Sequence, residues 1–103
     1  MDELITIITK IELFSGEKMR KTPFVTGYRP LFDFVGAKTK ISGSIDLINI
    51  NLFSPGMSEI VQIRFIKGVI NDAHFKVGET FAFGEGGNHL GKGEILEVIE
   101  LIR

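Results

Sequence analysis

Glycine limits what this chain can become more than any other residue. Twelve Gly and three Pro are spread along its 103 residues. They cut the sequence into short stretches, as expected of many strands joined by turns. Leu4–Phe14 is rich in β-branched residues and reads as a strand with Ile5, Ile7, Thr9, Ile11 and Leu13 on one face. Ser15-Gly16-Glu17-Lys18 is a turn, and Met19–Pro30 an ordered loop. Phe32-Asp33-Phe34 alternates as a half-buried strand should. Lys40–Leu47 sets Ile41, Gly43, Ile45 and Leu47 against Ser42, Ser44 and Asp46. Ser54-Pro55-Gly56 is a turn signature. Val61, Ile63 and Phe65 alternate with polar residues over Glu59–Ile66, and after a connection over Lys67–Gly78, Phe81 and Phe83 share one side of Thr80–Phe83. The last stretch fits two periods. Ile95, Val98, Ile99 and Ile102 fall at helical spacing, yet Ile95, Glu97, Ile99 and Leu101 also alternate against Leu96, Val98, Glu100 and Ile102.

At roughly 100–200 residues per domain, the length gives a single domain over 1–103. An apolar fraction of 44% and nine Phe supply one core and exclude global disorder. No apolar run reaches the ~18–20 residues that span a bilayer, and Met1-Asp2-Glu3 is not the basic start of a secretory signal. The expectation is a cytoplasmic protein with no membrane partner. Twelve Lys+Arg against thirteen Asp+Glu make any nucleic-acid contact a matter of a local patch. Zero Cys excludes disulfides, thiolate metal sites and Cys nucleophiles. His74 and His89 have no helical i, i+4 partner for zinc, so no metal and no cofactor are expected.

Gly86-Gly87-Asn88-His89-Leu90-Gly91-Lys92-Gly93 is one residue from a phosphate-binding P-loop. In such a loop Lys92 would reach the β/γ-phosphates. Against that, Gly93 stands where a Mg²⁺-ligating Ser or Thr belongs. Too few residues follow for a crossover helix and a further strand, and no βαβ alternation precedes it. A glycine-rich turn between two strands is the better reading. No G-x-S-x-G elbow occurs, and Glu94, Glu97 and Glu100 read as solvent-facing groups. The chain is not expected to be an enzyme.

Arg20-Lys21-Thr22-Pro23-Phe24-Val25-Thr26-Gly27-Tyr28-Arg29-Pro30-Leu31-Phe32-Asp33-Phe34 closely resembles the opening of the third, C-terminal β-barrel domain of elongation factor Tu. That opening runs Arg-His-Thr-Pro, then Gly-Tyr-Arg-Pro-Gln-Phe-aromatic-Phe. Ile41-Ser42-Gly43-Ser44-Ile45-Asp46-Leu47 is similar to the family's Val-Thr-Gly-Thr-Ile-Glu-Leu, and Pro55-Gly56 to its Pro-Gly turn. Phe81-Ala82-Phe83-Gly84-Glu85-Gly86-Gly87, followed by Gly91-Lys92-Gly93, is similar to Phe-Ala-Ile-Arg-Glu-Gly-Gly and Gly-Ala-Gly. The resemblance is collinear over about residues 8–103. It implies an all-β fold, a six-stranded antiparallel closed barrel in which the final segment is a strand and the near-P-loop a hairpin connection. In the family GTP hydrolysis belongs to a separate upstream domain, and another barrel lies between. Neither fits in this chain.

In the family this domain touches the T-stem of aminoacyl-tRNA, the GTPase domain and the nucleotide-exchange factor. Carried over by position, the resemblance implies RNA contacts at Arg20, Lys21, Ser42, Lys67, Glu85 and Gly86. Three positions depart: Leu31 replaces a Gln, Gly84 an Arg and Asn88 another Arg, so two positive charges and one amide are lost. Phe24, Tyr28, Arg29 and Leu31 are candidates for a partner interface, with an apolar patch around Phe24, Val25 and Leu31. The expected function is a non-enzymatic binding module associated with translation, contacting tRNA or another structured RNA, with a GTPase-domain or other translation-factor protein as a partner in trans and no DNA. The alternative is a protein–protein interaction or structural module that reuses the fold without RNA. Against these readings stand plainer ones, with Arg20 and Lys21 as solvated loop charges, Gly86 as a turn residue, and Arg29 in a packed loop paired with a carboxylate.

Overall fold

Along β1 (Leu4–Leu13) the residues Ile5, Ile7, Thr9, Ile11 and Leu13 are buried, the face set by the two-residue period of a strand. The computed structural model describes residues 4–17 and 19–101, and for Glu100 and Leu101 the backbone alone. Lys18 of the expected turn, Ile102 of the expected final stripe and the Met1-Asp2-Glu3 start therefore lie outside the described residues. The other strands are β2 (Leu31–Phe34), β3 (Ile41–Leu47), β4 (Ser58–Ile66), β5 (Thr80–Glu85) and β6 (Asn88–Leu101), with one 3-10 turn at Asp72–His74. They pair antiparallel in the order β1-β4-β3-β2-β5-β6, and β6 returns to β1 to close a six-stranded barrel. Closure leaves no strand edge open. Among the described residues no helix is long and apolar enough to cross a membrane.

Every Phe except Phe14 is buried. Within the barrel Phe32 meets Phe65 edge-on at 5.0 Å, and Phe34 lies 5.2–5.7 Å from Phe65, Phe75 and Phe81. So many rings fit inside a small barrel because they face glycines. Gly43 is the cross-strand partner of Phe65, Gly93 of Phe81 and Gly91 of Phe83. A Cβ at Gly43 would stand 2.6 Å from the Phe65 ring, one at Gly93 2.6 Å from Phe81, and one at Gly91 2.3 Å from Phe83. Each inward glycine is thus the space that its opposite phenylalanine fills.

The Ser54-Pro55-Gly56 signature forms its turn. Gly56 takes φ +90° and Met57 N–H donates to the Ser54 carbonyl at 3.1 Å, with Pro at the first central position.

β6 is a strand, but neither of the two sequence periods describes it. Its register against β1 pairs Thr9 with Ile95, Ile7 with Val98 and Ile5 with Leu101, and shifts twice on the way. Leu96 and Ile99 are the extra residues, and they lie 41% and 46% exposed. Two bulges therefore put every third β6 residue opposite an inward β1 position, which imitates the spacing of a helix face.

Candidate functional site

The near-P-loop becomes a two-residue hairpin. Glu85 pairs with Asn88, and Gly86 takes φ +61° while Gly87 does not enter the positive region, the φ pattern of a type II′ turn. Asn88 onward is already strand β6, so no helix N-terminus stands behind these glycines.

Beside this hairpin the loop before β2 is pinned by antiparallel bridges between Phe24 and Phe53 and between Tyr28 and Ile45. The pinning aims Arg20 at the hairpin. Arg20 Nη1 lies 2.9 Å from Glu85 Oε2, while its Nε and Nη2 donate to the carbonyls of Thr22 and Pro23 at 2.8 and 3.3 Å. The guanidinium carbon sits 4.7 Å from the centre of the Tyr28 ring. Tyr28 Oη donates to the same Glu85 oxygen. Burial, reinforced by the adjacent Glu85 carboxylate, raises the pKa of the Tyr28 phenol. Lys40 Nζ stands 3.5 Å from the Gly86 carbonyl and adds a cation absent from the sequence-derived set.

Register brings more of the expected residues into line. Gly84 of β5 pairs with Leu31 of β2, and Leu31 with Ser42 of β3. Gly43 pairs with Phe65, so the same register sets Ser42 beside Ile66, and Lys67 follows. At about 4.8 Å per strand this row is about 14 Å long. Glu85, Gly86 and Arg20 lie at one end and Lys67 at the other. Lys67 Nζ is 3.6 Å from Asp72 Oδ2. Lys21 leaves the row and donates to the Gly16 carbonyl at 2.6 Å.

Two expectations need correction. Phe24 is 3% exposed, stacked on Phe53 at 5.0 Å and tilted against Tyr28 at 4.5 Å. It belongs to the core and offers no surface to a partner. Arg29 pairs with no carboxylate among the described residues. Tyr28 is half-buried, Arg29 is exposed and Leu31 is 39% exposed.

The departure at Gly84 has a structural cause. The register shifts between Phe83 and Gly84, and a Cβ at Gly84 would meet the Asn88 carbonyl oxygen at 1.8 Å. The backbone leaves no room there for any side chain, let alone arginine.

Elsewhere a groove of about 690 Å³ crosses the outer face of β2, β5, β6 and β1. Asp33 and His89 meet there at 3.2 Å, with Lys10, Glu12, Lys92 and Glu94 around them. This groove was not legible in sequence, because its walls come from five strands, Ser58 of β4 included, that only the register brings together. Its charges of both signs select no ligand class. Among the described residues no group of three His, Asp or Glu could hold a metal. No protein-family model matches the chain.

Proposed function

We propose that the chain is a relative of the elongation factor Tu C-terminal barrel, a non-enzymatic binding module that contacts the backbone of structured RNA. The observation that carries this reading is the Gly84–Leu31–Ser42 register row, flanked by Arg20, Lys40 and Gly86 at one end and Lys67 at the other. Contacts of this kind recognise A-form shape and phosphate positions over sequence. Because Glu85 already neutralises Arg20 and Asp72 stands 3.6 Å from Lys67, the electrostatic part is small, carried mainly by Lys21 and Lys40. The logarithm of tRNA affinity should therefore fall with the logarithm of salt at a slope of about −2. Lys21→Glu combined with Lys67→Glu should abolish binding in a filter or fluorescence titration, and affinity indifferent to both changes would sink the reading.

A protein-interaction module without RNA is the second reading. It draws on Val25 and Leu52, 56% and 47% exposed and set side by side by the Phe24–Phe53 bridge, with Ile48 50% exposed nearby. It requires ribonuclease-resistant association with a translation-factor GTPase domain that Val25→Asp weakens; association unchanged by that substitution counts against it.

A further inference from the structure

On the outer surface around β3 and β4 lies a cleft of about 210 Å³, lined by Leu4, Arg29, Ser44, Arg64, Phe65 and Ile66. The fold builds its polar groups from two directions. Ser44 and Arg64 are cross-strand partners in the β3–β4 register, so their Cβ atoms are about 5 Å apart. Arg29 arrives from the loop before β2, which Gly27 N–H to Ile45 O and Ile45 N–H to Tyr28 O fix against β3, each at 2.9 Å. The buried Pro30 follows and restricts the backbone of Arg29.

The hydrogen-bonding capacity of these groups is only partly used. Asp46 takes Arg64 Nε at 2.8 Å and Nη2 at 3.3 Å, which orients the guanidinium and leaves Nη1 unengaged. Among the described residues Arg29 makes no ion pair and no hydrogen bond. Ser44 as a residue is 7% exposed, and its hydroxyl, which has no hydrogen-bond partner among the described residues, keeps access to solvent. Arg29, Arg64 and Ser44 thus line one small space with Leu4, Phe65 and Ile66, and a carboxylate holds Arg64 in place.

We propose that this cleft binds a phosphate group, with Arg29 and Arg64 Nη1 donating to its oxygens and the Ser44 hydroxyl completing the set. Guanidinium forks match phosphate oxygens in geometry and charge. The volume suits a single phosphate and falls below the roughly 300 Å³ at which sites for larger ligands begin. Asp46 cancels one of the two positive charges, so the free ion binds in the millimolar range. The phosphate comes either from the solution as the inorganic ion or from an RNA backbone as a diester. Ser44 lies two residues beyond Ser42 on the same face of β3, which adjoins the cleft to the proposed RNA row. The site itself does not rest on that reading.

The test is an NMR titration with inorganic phosphate, ionic strength held constant with chloride. The backbone amides of Ser44 and Arg64 and the Nε of Arg29 are expected to shift saturably. Arg29→Gln, at an exposed position, and Ser44→Ala should each keep the dispersed spectrum of the folded barrel and lose that response. No saturable shift in the native chain, or the same shift in both variants, overturns the proposal. A parallel titration with tRNA separates the two sources. If Arg29→Gln also lowers RNA affinity severalfold, the natural ligand is a backbone diester; if RNA affinity is untouched, it is the free ion. A native chain that binds no RNA but keeps the phosphate response refutes the RNA reading and leaves this site standing.

Discussion

The inside of the barrel and the corner around Arg20 are built on opposite terms. Inside, Gly43, Gly91 and Gly93 each give way to a phenylalanine across the ladder, and shape decides every position. At the corner, exposed Glu85 and half-buried Arg20 and Tyr28 satisfy one another at the surface. Dense packing feels a single added methyl group, whereas exposed ion pairs contribute little. Stability therefore resides in the rings and glycines, and little of it in the corner.

The largest contrast is expected at Gly91. An added methyl there meets the Glu12 carbonyl as well as the Phe83 ring, both at 2.3 Å, and backbone cannot step aside. Gly91→Ala should cost about 3 kcal/mol or more in urea unfolding. At Gly93 the obstructions are side-chain atoms of Phe81 and Ile11 at 2.6 and 2.7 Å, so Gly93→Ala should be milder and partly rescued by Phe81→Leu. Equal losses at the two glycines would erase the distinction between backbone and side-chain obstruction.

At the corner, Arg20→Met should change stability by less than about 1 kcal/mol in the same assay, since Glu85 is 53% exposed. A loss as large as that of Gly91→Ala would mean that the corner is part of the structural frame.

The smallest effect is read by alkaline titration. The chain holds one Tyr and no Trp, so tyrosinate absorbance reports Tyr28 alone. Its raised pKa means that folding favours the neutral phenol. The associated stability is complete below the ordinary value of 10.0 and is lost as the pH climbs past it. Folded protein should stay un-ionised above pH 10.0, where the urea-unfolded chain titrates. A folded midpoint at or below that value would detach Tyr28 from burial and from Glu85.

Much of the barrel could be read in advance from particular residues. Ile5 to Leu13, Phe32 and Phe34, Val61 to Phe65, and Phe81 and Phe83 alternate plainly, and the pattern survives because each strand is buried on one face. β6 resisted for a definable reason. Bulges at Leu96 and Ile99 replace a period of two with a period of three, and no count along the sequence separates that from a helix. The candidate site was legible only in part. Ser42 and Gly86 could be named by resemblance, but the partnership of Arg20 with Glu85 spans 65 residues of sequence and depends on barrel closure. Lys40 carried no signal at all, because its value comes from standing beside Gly86. The burial of Phe24 was hidden by a loop that reads as surface and is in fact pinned to Phe53.

The pinched carbonyl at Asn88 bars position 84 to every side chain, so a long cation could stand there only if the polypeptide first slackened its corner. Positive charge along that rim therefore has to come from neighbouring staves, as Lys40 illustrates.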